Sequence, residues 1–160
     1  MTVSSLSSGD HAEPLLRTHS HAFTVPSISA RLPTFVFQFT FMKCSMMIWI
    51  GTSSPSESEK LNACLANDWA CAVPPSASFR AMSTVLNSTS PSTTFSQSLS
   101  TKLAQRFKQQ VFVSFDVPTH ILELDHTLLL AIEKELFAHT QSILSDAALL
   151  PPLGDSVSAS

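Results

Sequence analysis

The sequence predicts a small α+β domain, and three observations carry that reading. Apolar residues alternate with period two from Phe35 to Gly51, and they recur at spacings of three and four from Ile121 to Leu136. Between these, the stretch Leu103 to Ser114 (LAQRFKQQVFVS) changes from a helical to a strand-like pattern within a few residues. Alternation marks a strand with one buried face, the longer spacing marks a helix with one buried stripe, and a direct junction sets the direction of both.

With 160 residues the chain is long enough for one domain to bury a core without disulfide or metal staples. Residues 1–18 lack periodicity and are rich in Ser, so they read as a disordered N-terminal extension. Residues 19–145 form the domain, and residues 146–160, with Pro151 and Pro152, read as a flexible tail.

The elements follow in order. A first strand runs near His19 to Val25, and Pro26 and Pro33 favour an edge position for it. The second places Phe35, Phe37, Phe39 and Phe41 on one face and Val36, Gln38, Thr40 and Met42 on the other; the aromatic face suits core packing better than a base-stacking platform, which needs basic surroundings. Lys43 to Ser45 make a short link to Met46 to Gly51, where Met47 and Trp49 alternate with Ile48 and Ile50, so the two strands form an antiparallel hairpin.

Thr52 to Lys60 is a polar loop. Asn67 to Val73 is a strand with Trp69, Cys71 and Val73 on one side, ended by Pro74 and Pro75, and Arg80 to Leu86 is a fifth strand with thin alternation. After the turn-like Asn87 to Ser92, Ser and Thr offer N-caps for a helix beginning near Thr94, whose apolar side carries Leu99, Leu103, Arg106 and Phe107. Val111 to Asp116 is a strand with Val111, Val113 and Phe115 on one face and Phe112 and Ser114 on the other. A second helix runs from His120 or Asp125 to about Ser142.

Composition removes several classes of function. Charged residues make up 13% of the chain, Ser and Thr about a quarter, and the formal net charge is -3, so the basic footprint of a nucleic-acid binder is missing. The apolar run from Phe35 to Gly51 is broken by Gln38, Thr40, Lys43 and Ser45, which argues for two strands and against a membrane span. No basic n-region followed by an apolar core opens the chain, so no secretory signal is expected. Cys44, Cys64 and Cys71 are odd in number and contain no C-x-x-C pair, which points to a reducing compartment, with the cytoplasm and also the nucleus as settings.

Motif chemistry is equally sparse. The three glycines, Gly9, Gly51 and Gly154, are too far apart for a Walker or dinucleotide loop, and no G-x-S-x-G elbow is present. His11, His19 and His21 read as solvated or edge-strand histidines, and the single Glu123-x-x-His126 lacks the second copy that a di-iron bundle needs. Ser54-Pro55 and Ser90-Pro91 are loop dipeptides that a proline-directed kinase could use. No catalytic residue, cofactor site or metal site is expected. The rival reading is a small-molecule carrier or enzyme with a pocket beneath the Phe-rich strand.

Leu103-Ala104-Gln105-Arg106 followed by Gln110-Val111-Phe112-Val113-Ser114 resembles the signature of the proteasome assembly chaperone 4 family. Ser29-Ala30-Arg31-Leu32, the strand around Phe37, Ile48-Trp49-Ile50-Gly51 and Leu128 to Leu136 (LLLAIEKEL) occur in the family's order, so the resemblance spans about His19 to Gln141. The chain departs from the family in its longer N-terminus, its longer loop between Gly51 and Asn67, its C-terminal tail and its connection after Phe115. The resemblance implies a six-stranded antiparallel β core, as a curved sheet or a sandwich, with two amphipathic helices. It further implies a non-catalytic chaperone that pairs as a heterodimer with an assembly chaperone 3-like partner and helps order proteasome α subunits into the ring of the core particle. Lys102, Arg106 and Lys108 are the candidates for partner contact, and Phe112 and Ser114 for the heterodimer side.

Overall fold

The computed structural model describes residues 16–25, 32–53, 67–88, 95–123, 125 and 127–149, with side chains through 146. The expectations for residues 1–15, for Ser29-Ala30-Arg31, for the 54–66 loop with Cys64 and Ser54-Pro55, for Ser90-Pro91, for His126 and for residues 150–160 lie outside the described residues.

Six strands form one open mixed sheet: β1 (Arg17–Phe23), β2 (Thr34–Met42), β3 (Ser45–Ser53), β4 (Asp68–Val73), β5 (Met82–Ser88) and β6 (Gln110–Phe115). Among the described residues three helices accompany it: α1 (Phe95–Phe107), the single turn α2 (Thr119–Leu122) and α3 (Leu128–Leu149). The strand order is β1-β2-β3-β6-β4-β5, so β1 and β5 are the edges. The α+β class and the six strands are as the sequence predicts, and the arrangement is a single sheet, not a sandwich.

One pair differs from the antiparallel expectation. β6 enters between β3 and β4, runs antiparallel to β4, and is therefore parallel to β3, with Met46 opposite Val111 and Ile48 opposite Val113. The connection from β3 to β6 is long, running through β4, β5 and α1, as parallel neighbours require. Side-chain alternation is the same in both kinds of pair, so the pattern of residues could not reveal the direction.

The core lies on one face of the sheet. Phe35, Phe37, Phe39, Met46, Ile48, Ile50, Val111 and Val113 have no exposed surface and join Leu99 and Leu103 of α1 and Leu128, Ile132 and Leu136 of α3 in one cluster. Each buried Phe stabilises the fold by about 1.5–3 kcal/mol relative to exposure. The aromatic stripe of β2 is thus core, with Phe41 partly buried at its end.

α1 approaches β4 closely because small residues face it: Ser96, Ser100 and Ala104 are buried on the helix, and Ala70 and Ala72 on the strand. The helix N-terminus is closed from outside the helix. Asp68 Oδ2 accepts from the Ser96 N–H at 2.9 Å and Oδ1 accepts from the Ser96 hydroxyl at 2.6 Å, which supplies a carboxylate where the helix dipole favours one. Arg106, expected on the apolar side, is exposed in the last turn.

The long C-terminal helix is interrupted near its expected start. Asp125 Oδ1 accepts from the Thr127 N–H at 2.8 Å and from its hydroxyl at 2.7 Å, a local turn that separates α2 from α3. At the other end α3 continues to Leu149, past Ser142 and into the segment expected as a tail. β1 likewise starts at Arg17, inside the expected extension, because its pairing with β2 runs from Arg17–Phe41 to Phe23–Phe35. Backbone pairing, and not apolarity, sets that end.

Candidate functional site

The second face of the sheet carries the residues that alternate with the core. Strand register places Gln38, Trp49, Ser114 and Trp69 in one row across β2, β3, β6 and β4. The next row is Thr40, Met47, Phe112 and Cys71, continuing to Thr84 on β5. Except for Ser114, these residues are half-buried or exposed, and among the described residues no helix packs on them. The result is a face with two indoles, Met47 and Phe112 at its centre.

Ser114 shows how the centre is built. Its small side chain leaves room between Trp49 and Trp69, its neighbours in register on either side, and it is 2% exposed. The Ser114 hydroxyl donates to Asp116 Oδ2 at 2.6 Å, Asp116 Oδ1 accepts from the Asn67 N–H at 2.8 Å, and the Asp116 N–H donates to the Ile50 carbonyl at 2.8 Å. These bonds tie the ends of β3, β4 and β6 together beneath the indoles. Both indole Nε1 atoms are shielded from solvent and have no hydrogen-bond partner among the described residues. Gln110 Nε2 donates to Cys71 Sγ at 3.4 Å on the same face, and Cys71 and the exposed Cys44 are free thiols.

The five residues singled out from the sequence fall on two surfaces. Phe112 and Ser114 lie on the open face. Lys102 and Arg106 project from α1, on the opposite side of the sheet, and Lys108 sits at the α1–β6 junction. Lys102 is held by α3: its Nζ donates to both oxygens of Glu133, at 2.7 and 2.8 Å. Arg106 and Lys108 are exposed, and Lys108 has a left-handed backbone with φ 56°. That conformation lets its N–H bond the Ala104 carbonyl at 3.1 Å, ending the helix in the way a glycine usually does.

Trp49, Trp69, Met47 and Cys71 were not singled out as site residues. Their signal was present in the alternation of β3 and β4, where both phases are apolar. A strand with two apolar faces is buried twice, and the helices bury only one face. The Phe stripe, by contrast, is spent on the core.

Fold and face together define a two-layer α+β domain: among the described residues the helices cover one side of the sheet, and the other side carries the half-buried Met47, Trp49, Trp69 and Phe112. A family model described as proteasome assembly chaperone 4 matches residues 34–117, just over half of the chain, and the chain belongs to that family. Its role is accordingly that of a proteasome assembly chaperone. Among solved structures it resembles a chain from the crystal structure of a novel chaperone complex for yeast 20S proteasome assembly. The TM-score is 0.60 at 15% identity, covering 81% of this chain and 98% of that one, a likeness of fold. No curated protein matches by sequence.

Among the described residues no helix is long and apolar enough to cross a membrane.

Proposed function

We propose that the chain forms a heterodimer with an assembly chaperone 3-like protein through the open sheet face, and that the pair promotes ordering of α subunits into the ring of the proteasome core particle. The observation that carries this reading is the double row of Trp49, Ser114 and Trp69 beside Met47, Phe112 and Cys71, apolar at its centre, half-buried apart from Ser114, and on the side of the sheet away from the described helices. Large exposed apolar patches on soluble domains mark interaction sites. Aromatic residues and Met are enriched where such interfaces are most buried.

A chaperone of this type needs no catalytic group. It offers a surface complementary to one arrangement of subunits, lowers the free energy of that arrangement relative to wrong ones, and leaves when the growing particle competes for the same surface. Arg106 and Lys108, exposed on the helix side, remain free for a second contact when the sheet face is occupied, and α subunits are the natural occupant. The free thiols suit a reducing cytoplasmic or nuclear setting.

The test is mass measurement in solution of the protein alone and mixed with an assembly chaperone 3-like protein. A stable one-to-one complex is expected. Two species that elute unchanged at micromolar concentration would overturn the pairing.

A further inference from the structure

On the helix-covered side, the edge strand β1 is fastened to α3 through histidines. His21 Nε2 donates to Glu135 Oε1 at 3.0 Å, and the His21 ring stacks on His139 with centroids 3.9 Å apart and planes 20° from parallel. His139 also packs against Phe39 at 5.4 Å, and His19 meets the ring of Phe41 edge-on at 5.8 Å.

Two periodicities build the arrangement. His19 and His21 share one face of a strand, and Glu135 and His139 are one helical turn apart. The charged and titratable groups around the stack can be named element by element. β1 contributes His19 and, one step further along the same face, Arg17. α3 contributes Glu135 and, two turns beyond His139, Asp146. β2 contributes only Phe37, Phe39 and Phe41.

We propose that this stack is a proton-operated clasp: neutral His139 holds β1 against α3, and protonated His139 releases it. Two facing imidazoles at van der Waals distance attract while one is neutral, whereas a charge on His139 faces His21 and His19 across partly desolvated space. The His139 pKa is held below the ordinary 6.5, first by burial, then by repulsion from His21, with Glu135 opposing and His19 adding to the depression.

The sign follows from linkage. Because the pKa of His139 is lower with the stack formed than with it opened, the opened state, with His139 exposed on α3, takes the proton first. The contact is therefore complete above about pH 6.5 and is lost as pH falls from there through the folded value. The effect is local, because β1 is an edge strand with one neighbour, and only His21 and Phe23 among its residues are half-buried. Its departure lifts Phe23 from Phe35 and Phe37, now 5.5 and 4.8 Å away, and bares the backbone edge of β2.

The test is amide hydrogen exchange followed by NMR at about pH 7.5 and about pH 5.5, corrected for intrinsic rates, comparing β1 amides with the Val113 amide of β6. In the wild-type chain the protection of β1 relative to Val113 should fall severalfold, at most about tenfold per pH unit spent between the two pKa values. In His139→Phe, which keeps a ring in the stack, the ratio should stay constant. A constant ratio in the wild type, or an equal fall in the variant, would overturn the clasp. Titration of the His139 ring signals gives a second reading that needs only the wild type and His21→Gln. Its midpoint should lie below 6.5 and rise towards 6.5 when His21 is replaced; a midpoint unmoved by that replacement also overturns the proposal.

Discussion

The indole of Trp49 occupies the space where a side chain on Gly51 would begin: a Cβ at residue 51 would collide with its six-membered ring. The two residues share a strand face two positions apart, so the ring lies back along β3 over bare backbone. Gly51→Ala should push the indole off the sheet and cost about 1–3 kcal/mol, the usual penalty for overfilling a packed site. Urea unfolding and tryptophan emission together check this. Unchanged stability with an unchanged spectrum would mean that the ring does not rest there.

The contact between Asp68 and Ser96 joins β4 to the start of α1. Asp68→Ala removes a helix-end carboxylate and leaves the buried Ser96 hydroxyl without its partner. A loss of about 2 kcal/mol is expected, at the upper end for a helix cap. Ser96→Ala should cost less, since it removes the buried hydroxyl instead of stranding it. A double-mutant cycle measures the coupling, and additive losses would show that the two groups act independently.

The open face and the helix side make opposite predictions about partner binding. Phe112→Asp places a charge at the centre of the proposed interface and should weaken binding of an assembly chaperone 3-like protein at least about tenfold, while the half-buried position limits the loss of fold stability. Lys102→Ala should leave that binding unchanged. Lys102 and Glu133 are 47% and 28% exposed, so their ion pair is worth less than about 1 kcal/mol to the fold. Calorimetric titration of both variants separates the surfaces; if Lys102→Ala weakens binding and Phe112→Asp does not, the sheet face is not the interface.

Which parts of this were legible in the sequence depends on how local their causes are. The Phe stripe, the β2–β3 hairpin and the junction from Arg106 to Gln110 announce themselves through neighbouring residues, and all are present. The parallel pairing of β3 and β6 depends on where the crossover delivers β6, which no local pattern encodes. The split between α2 and α3 is legible only in part: the sequence offers His120 or Asp125 as the helix start, and Asp125 and Thr127 interrupt a run whose apolar spacing continues across them. For the site, Phe112 and Ser114 were marked by family identity, whereas Trp49 and Trp69 become parts of one face only when β6 is placed between their strands.

Lys108 holds a left-handed conformation that costs a residue with a Cβ about 1–2 kcal/mol. Lys108→Gly should therefore raise stability by about 1 kcal/mol, less any loss of charge attraction at the helix C-terminus. Chemical denaturation measures it. A variant less stable than the wild type would show that the Lys108 side chain makes a contact that outweighs the backbone cost.

The position of β6 also bears on synthesis. Until β6 is available, β1, β2 and β3 form one piece of sheet and β4 and β5 another, with no backbone pairing between the two. Both pieces carry an unpaired inner edge, and the strand that joins them is the last to leave the ribosome. The nascent chain therefore waits with two sticky half-sheets, and its completion is a single late insertion. A proteasome assembly chaperone thus meets an assembly hazard first in its own chain.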